Sequence, residues 1–572
     1  MKCNNKNKIV LVIMLSAILL VSMYYLNLKS GYFVDEGMTL FLANGNYNGA
    51  VTSKSDSDLT NFLNEFVIKD GVGDTISNLF SMLKELTTAG NYSVEGTVEW
   101  YDAARNLLQG KRTWMSGKEL FDQMTAPDGE RFQYMQVFLN QAMDVHPPFY
   151  YLLVHTVFSL FSGKYSDAYL FAVNIVALLM SCVVLWKVLE LISDNSCTAM
   201  VAVAIYGFSQ GFISCAVYFR MYAWFTFFAV LTLYMHLLLE SSEYNFSKKM
   251  SLCFIGTIVL GFYTHYYYIV YLVPFFVITI IRLIKTKRKM QVIAYVKRCV
   301  VSGICSLLIW PLSAYHILFS YRGTEASANL VSDGLIHRLA NYYHIIKQAF
   351  FYNSNVLFVI FVLGLLCVLA FNKKQKRYVI EIFGVSFFYL LVISQIAPAQ
   401  SDRYIMCIYP LIATVIAMII MPSAEVVLRN EKWQRIVCGI VLGGLVALSI
   451  TAITPNYLYL EQKDLPENFV EERFRMNCLM LSDGDWRGFS EALKFSKFGQ
   501  VIVLEEQQLS VLQEEKPQSI SNDTVVYILG GLEQDKNLKL ICEMLDYRSD
   551  SAEQIPSDVA DFNAYLLKAE EP

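Results

Sequence analysis

The chain has 572 residues, a formal net charge of −4, and only 17% charged residues against 55% hydrophobic ones. Soluble domains carry about 25% charged residues, so this composition excludes an ordinary soluble protein, and the near-neutral balance gives no case for nucleic-acid binding. The 12 cysteines are scattered, with no Cys-x-x-Cys pair and no Cys/His cluster at zinc spacing. Most of them lie in apolar runs, where cysteine behaves as a small hydrophobe. Cys478 and Cys542 fall instead in a polar C-terminal region, where a disulfide between them stays open.

The first apolar run, Ile9 to Leu28, follows Lys2, Lys6 and Lys8. Its length and the lack of a small-x-small cleavage site before "LKSGYF" read as a retained span rather than a signal peptide. "GYFVDEGMTL" comes next and carries Asp35 and Glu36. From about residue 44 to 140 an insert reads as short amphipathic helices. "SDSDLTNFLNEFV" sets Leu59, Phe62, Leu63, Phe66 and Val67 on one face after an Asp/Ser cap, and "TVEWYDAARNLLQG" repeats the pattern and stops at Gly110. Such helices could lie along lipid headgroups or cover a site.

"MDVHPPFYYLLVH" then opens an apolar run with an acid, a histidine and two prolines. Pro147 to Ser162 would make a helix about 24 Å long, short of a ~30 Å hydrocarbon core. Further runs long enough to span, or nearly so, follow near 170–191, 199–217, 224–239, 252–262, 266–284, 300–319, 356–371, 379–396, 405–421 and 436–453. With the first run they give about eleven spans by the ~20-residue criterion. Leaving out 147–162 places the N-terminal lysines, Lys248–Lys249, "KTKRKMQVIAYVKR", "NKKQKR" and "RNEKWQR" on one side, which the positive-inside bias makes cytoplasmic. The 147–162 run therefore reads as a re-entrant or interfacial helix on the outer face. The tail from about 454 to 572 is acidic and mixes strand-like runs ("GQVIVL", "TVVYIL") with helical ones, which predicts a small α/β domain without a catalytic motif of its own.

The expected fold is thus an α-helical polytopic membrane protein of about eleven spans plus re-entrant helices, with a small extracytoplasmic C-terminal α/β domain. Residues 1–454 form the membrane domain, with the insert at about 44–140, and 455–572 form the tail domain. This topology gathers Asp35, Glu36, Asp144, His146, Arg220, His265 and Arg403 on the outer side, each at the end of a span. Carboxylates beside arginines at a membrane surface suit transfer of a group from a lipid phosphate. A base removes the proton of an attacking hydroxyl, and cations hold the charge that develops on the departing phosphate. Arginine suits the second role because its planar fork matches phosphate oxygens.

"VDEG", "DVHPPFYYLLVH", "YFRMYA" and "RYIMCIYP" together resemble bacterial members of glycosyltransferase family 39, in the GT-C class, with the protein O-mannosyltransferases and the lipid A aminoarabinose transferases. The resemblance covers roughly Ile9 to Ile453. It implies a GT-C-like fold, a polyprenyl-phosphate-linked sugar as donor, inversion at the anomeric carbon, and an acceptor (glycan, lipid or protein) in the cell envelope. It also implies a cell-membrane enzyme, while the positive-inside bias gives the cytoplasmic N-terminus. By the same resemblance Asp35, with Glu36 beside it, is the catalytic acid of the first outer loop, and Asp144 and His146 form a second polar position. Arg220 with Tyr222 and Arg403 with Tyr404 are the places that hold the donor phosphate. Pro147, Pro148, Tyr150, Tyr151, His265 and Tyr266 would line the cavity. The long first outer loop departs from the simplest members and leaves the acceptor open. No cofactor is certain; a divalent metal at Asp35 with Asp144 or His146 is an alternative, because these are plausible hard-ion or zinc ligands. His236, inside a span, reads as a hydrogen-bonded structural histidine. The competing function is a secondary transporter or lipid flippase, which would place charges near the midplane in paired broken helices.

Overall fold

The computed structural model describes all residues except 1–4, 51–61, 90–97, 104–111, 194, 373–374, 428–429, 460–471, 519–521, 549–551 and 570–572. Leu59, the cap before it, and the end of the second insert helix with Gly110 lie outside the described residues. The chain forms two compact units. One holds residues 1–28, 145–150 and 170–456; the other holds 29–144, 151–169 and 457–572.

The first unit is helical. Six described helices are long and apolar enough to cross a membrane: Asn7–Leu26, Asp167–Ile192, Tyr222–Ser241, Tyr268–Lys285, Lys289–Ile309 and Lys376–Ile396. A helix satisfies every backbone polar group internally, so it can stand in lipid. Large apolar side chains remain on the outside, among them Leu252 (73% exposed), Leu308 (67%) and Phe371 (85%). That is the reverse of a soluble surface and fits contact with lipid tails.

One run that reads as a straight span is broken, and another joins an unpredicted helix at a sharp angle. The 199–217 run breaks into Cys197–Gly207 and Gln210–Val217 at 55°. Ser209 starts the second piece by accepting the Phe212 N–H at 3.1 Å. The 356–371 run is preceded at 93° by a helix, Leu335–Phe351, that the apolar count passed over. The 300–319 run is also displaced: its helix is Lys289–Ile309, and the chain breaks at Trp310–Pro311 before a short Leu312–Leu318 helix. Proline restricts the residue before it and ends the helix there. Arg298 is accommodated inside this span because its guanidinium lies 4.1 Å over the Phe246 ring and donates to Ser251 Oγ and the Ala294 carbonyl. His236 is hydrogen-bonded on both nitrogens, to the Thr232 carbonyl at 2.8 Å and Tyr295 Oη at 3.0 Å, a structural arrangement.

The second unit is built on a six-stranded sheet. Its strands are β1 (Met115–Ser116), β2 (Asn477–Ser482), β3 (Gln500–Glu505), β4 (Thr524–Leu529), β5 (Ala552–Ile555) and β6 (Phe562–Leu567), in the order β1-β3-β2-β4-β6-β5. β3, β2 and β4 are parallel, and the outer strands are antiparallel. Every residue of β2 and β4 is buried, as expected of parallel strands covered on both faces. On one face Leu479, Leu481, Ile502, Leu504, Val526 and Ile528 pack with Ile541, Cys542 and Leu545 of the Gln534–Leu545 helix. The other face carries Cys478 and Tyr527, with the Phe495 ring of the Gly488–Phe495 helix 5.5 Å from that of Tyr527. Cys478 and Cys542 are both buried free thiols. The strand period of two sends Cys478 to the face opposite Leu479, away from Cys542.

β1 comes from the insert, where the sequence predicted only helices. Its residues Met115 and Ser116 pair with Val501 and Gln500. The insert and the tail therefore share one sheet.

Candidate functional site

In the first unit the segment between the Gln210–Val217 and Tyr222–Ser241 helices carries Tyr218 and Arg220. Asn174 Nδ2 donates to the Tyr218 carbonyl at 2.7 Å, and the Arg220 N–H donates to the same carbonyl at 2.7 Å. Arg220 is buried, at 2% exposed. The short helical turn Asp402–Tyr404 carries Arg403. That turn is held by Asn456, whose Nδ2 donates to Asp402 Oδ2 at 2.7 Å, and by Tyr389, whose hydroxyl donates to the Tyr404 carbonyl at 2.9 Å. Arg403 then donates from Nη1 to Tyr218 Oη at 2.9 Å and from Nη2 to Tyr404 Oη at 3.3 Å.

His265 stands in the turn after the Lys248–Phe262 helix, within electrostatic reach of both arginines. Burial holds its pKa well below the ordinary histidine value, with the charges of His146, Arg220 and Arg403 acting in the same direction. Its Nδ1 accepts the Tyr267 N–H at 3.1 Å. The ring is therefore neutral, with its proton on Nε2. The His146 ring lies 6.2 Å from that of His265, the Tyr222 ring 5.5 Å, and Tyr222 and Tyr404 are 6.2 Å apart. Of the predicted residues, then, Arg220, Tyr222, Arg403, Tyr404, His265 and His146 come together. Two guanidinium groups, phenols and an imidazole make a set of donors suited to an anion.

Tyr266 points to different partners. It accepts from Trp310 Nε1 at 3.0 Å and shares a 2.8 Å hydrogen bond with His316 Nδ1. Pro147 and Pro148 are buried ahead of the Phe149–Leu160 helix, whose Phe149 N–H donates to the Tyr263 carbonyl at 3.2 Å. The prolines thus set the entry of that helix, as their ring geometry dictates. Tyr150 and Tyr151 are wholly buried.

In the second unit Asp35 and Glu36 occupy the first turn of the Val34–Asn44 helix, where the helix dipole favours negative charge. Their environments differ. Asp35 is half-buried. Glu36 is buried, lies 3.1 Å from Lys29 Nζ, and accepts the Phe33 N–H at 2.7 Å. Asp144 is also buried, and it ends the Tyr134–Met143 helix rather than starting the next one; its N–H donates to the Asn140 carbonyl at 3.0 Å. Among the described residues no group of three or more His, Cys, Asp or Glu side chains is placed to hold a metal ion, so the geometry lends the metal alternative no support.

Two charged residues near these clusters were not read from the sequence. Arg322, on the Tyr321–Leu330 helix, pairs with Glu325 at 2.7 Å. Both charges reach the phenol of Tyr267, whose pKa is raised chiefly by burial. An Arg/Glu pair in the otherwise weakly polar stretch "YRGTEA" is the signal that could have found it. Lys29 is the second; it follows the first span and reads there as an ordinary flanking cation.

No family model and no curated protein matches the sequence. Solved structures do match. ArnT from Cupriavidus metallidurans bound to undecaprenyl phosphate aligns over 97% of this chain and 97% of its own, with a TM-score of 0.51 and 9% identity. The apo form of the same ArnT aligns over 73% of this chain and 87% of its own, with a TM-score of 0.43 and 9% identity. The first likeness, end to end, shows the fold: a GT-C-type, multi-pass helical membrane protein with a small C-terminal sheet domain.

Proposed function

We propose that this protein is a GT-C-type glycosyltransferase that moves a sugar from a polyprenyl-phosphate donor to a cell-envelope acceptor on the extracytoplasmic face. The observation that carries this reading is Arg403 forked between Tyr218 and Tyr404, with the Tyr222 ring packed on both Tyr404 and His265, while the charges of Arg403 and of Arg220, from a segment far away in sequence, both act on His265. Such a cluster matches the phosphate of a lipid donor, and the solved structure of like fold holds undecaprenyl phosphate. In the proposed step an acceptor hydroxyl attacks the anomeric carbon and the bond from that carbon to the phosphate oxygen breaks. Asp35 takes the hydroxyl proton, and the anomeric configuration inverts. The polyprenyl phosphate leaves as an anion held by the arginine forks and by the donors beside them. Glu36, Asp144 and His146 belong to the same reading as polar neighbours of the reaction, and the lysine-rich segments support a cytoplasmic N-terminus.

The transporter reading draws on the two bent helix pairs. Against it, Arg220 and Arg403 stand in non-helical or single-turn segments at helix ends rather than inside long spans. The test is transfer from radiolabelled polyprenyl-phosphate sugars to an envelope fraction by the purified protein. Asp35→Asn is expected to lower turnover by about a hundredfold or more, the scale of a lost general base. Donor-independent flux in proteoliposomes with no transfer would reverse the ranking.

A further inference from the structure

Asp35 and Glu36 are neighbours in sequence, yet their surroundings assign them different work. The Glu36 side chain is completely enclosed, as is that of Lys29 beside it. Lys29 Nζ sits 3.1 Å from both Glu36 carboxylate oxygens and also donates to the Tyr457 carbonyl at 2.7 Å. The rings of Tyr32 and Tyr459 flank the ammonium at 5.3 and 5.6 Å. Glu36 Oε2 in turn accepts the Phe33 N–H, one of the backbone donors left over where the helix begins. One ammonium therefore fastens the loop before the Val34–Asn44 helix, the first turn of that helix, and the chain near residue 457.

The loop has further straps. Ser30 N–H donates to the Leu458 carbonyl at 2.8 Å, and Tyr32 Oη donates to Asp167 Oδ1 at 2.6 Å. At its other end the helix is held by Asn44, whose Nδ2 donates to the Met124 carbonyl at 2.9 Å. These contacts hold both ends of the short helix that carries the half-buried Asp35.

We propose that Lys29 is a positioning residue for Asp35, acting through Glu36, and that Glu36 holds the helix start instead of handling the acceptor proton. The inference rests on the glycosyltransferase reading and deepens it: of the two acids, Asp35 alone does the chemistry. The cost of disturbing it is a displaced base, and a shift of about 1 Å can lower a rate on the order of a hundredfold.

The experiment uses the full-length protein in detergent with three variants, Lys29→Met, Glu36→Gln and the double variant. Turnover is measured with the polyprenyl-phosphate sugars described above, and binding with undecaprenyl phosphate itself. Lys29→Met takes the ammonium away from a buried carboxylate and is expected to lower kcat by about ten- to hundredfold. Undecaprenyl phosphate should still bind within about twofold of wild type, because the guanidinium cluster is untouched; that binding also shows the variant is folded. The double variant removes both charges of the pair and keeps an oxygen for the Phe33 N–H, so its kcat should rise above that of Lys29→Met. A double variant as inactive as Asp35→Asn, with undecaprenyl phosphate still bound, would make Glu36 a reacting group and overturn the inference alone. Wild-type turnover by Lys29→Met would do the same. A wild-type protein that binds undecaprenyl phosphate but transfers no sugar overturns the enzyme reading and the inference with it.

Discussion

Gly37 lies so close to the backbone of Phe489 that a Cβ at position 37 would overlap the Phe489 carbonyl oxygen. One turn further along the same helix, the Phe41 ring meets that of Phe489 edge-on at 5.3 Å. The helix that carries Asp35 is thus seated on the first turn of the Gly488–Phe495 helix of the C-terminal sheet domain. Gly37→Ala forces backbone apart rather than bending a flexible side chain, and overpacking of this kind costs about 1–3 kcal/mol. The expected result is a lower thermal unfolding midpoint and reduced turnover. Gly256→Ala is the control: nothing lies within 4 Å of the Cβ it would add inside the Lys248–Phe262 helix, so turnover should stay at the wild-type value and the midpoint should hold or rise.

Arg403 is held as a fork between two phenols, Tyr218 and Tyr404. Lysine keeps the charge but loses the planar, two-pronged geometry. Arg403→Lys is therefore expected to raise the donor KM about ten- to a hundredfold, the range for hydrogen bonds to charged groups. Tyr218→Phe removes one prong's support and should give a smaller increase. Equal KM values for wild type and Arg403→Lys would remove Arg403 from the phosphate site.

Membrane spans announce themselves because a bilayer demands a long apolar run, and most of the first unit was legible on that ground. The bend at Phe208–Ser209 was not, since one serine in an apolar stretch leaves the average almost unchanged. Leu335–Phe351 escaped because His337, Arg338, His344 and Lys347 interrupt its apolar face. β1 has two residues and no periodicity; its partners lie nearly four hundred residues later, and no local pattern encodes such a pairing. The arginines and His265 were legible as polar residues at span ends. The difference between Asp35 and Glu36 was not, because adjacency in sequence does not tell which side chain turns toward Lys29. Arg322 was not legible for a related reason: it sits within a connecting helix, where a charged residue is ordinary.

Acidification probes His265. Its folded pKa lies below the ordinary value because of burial and then the neighbouring His146, Arg220 and Arg403 charges. A lowered base pKa means the unfolded chain binds the proton more readily. Its contribution to stability is therefore complete above the unfolded value of about 6.5 and declines as pH falls from there toward the folded value. The wild-type protein should lose thermal stability over that acid window. His265→Asn keeps an oxygen acceptor for the Tyr267 N–H and does not titrate, so the same window should flatten. An unchanged acid limb in His265→Asn would assign the effect to other groups.

Arg322 gives a prediction whose sign is unusual for a residue beside a site. Its guanidinium is engaged by Glu325 at 2.7 Å, while both side chains keep substantial exposure, 47% and 38%. An exposed pair of this type is worth about 0–1 kcal/mol, so Glu325 holds Arg322 only weakly and removing it costs little stability. Both charges reach Tyr267, whose ring lies 5.9 Å from that of Tyr404 in the arginine cluster. On the proposed function, Glu325 would set a negative charge against an anionic donor and divert a positive one. Glu325→Gln should therefore lower the donor KM a few-fold, and Arg322→Ala should raise it a few-fold, with thermal midpoints close to wild type in both. The effects should shrink at high salt, because partly exposed charges are screened over about 10 Å at 0.1 M ionic strength. If Glu325→Gln instead weakened donor binding, the carboxylate would be contacting the sugar, and Arg322 would be serving only to hold it in place.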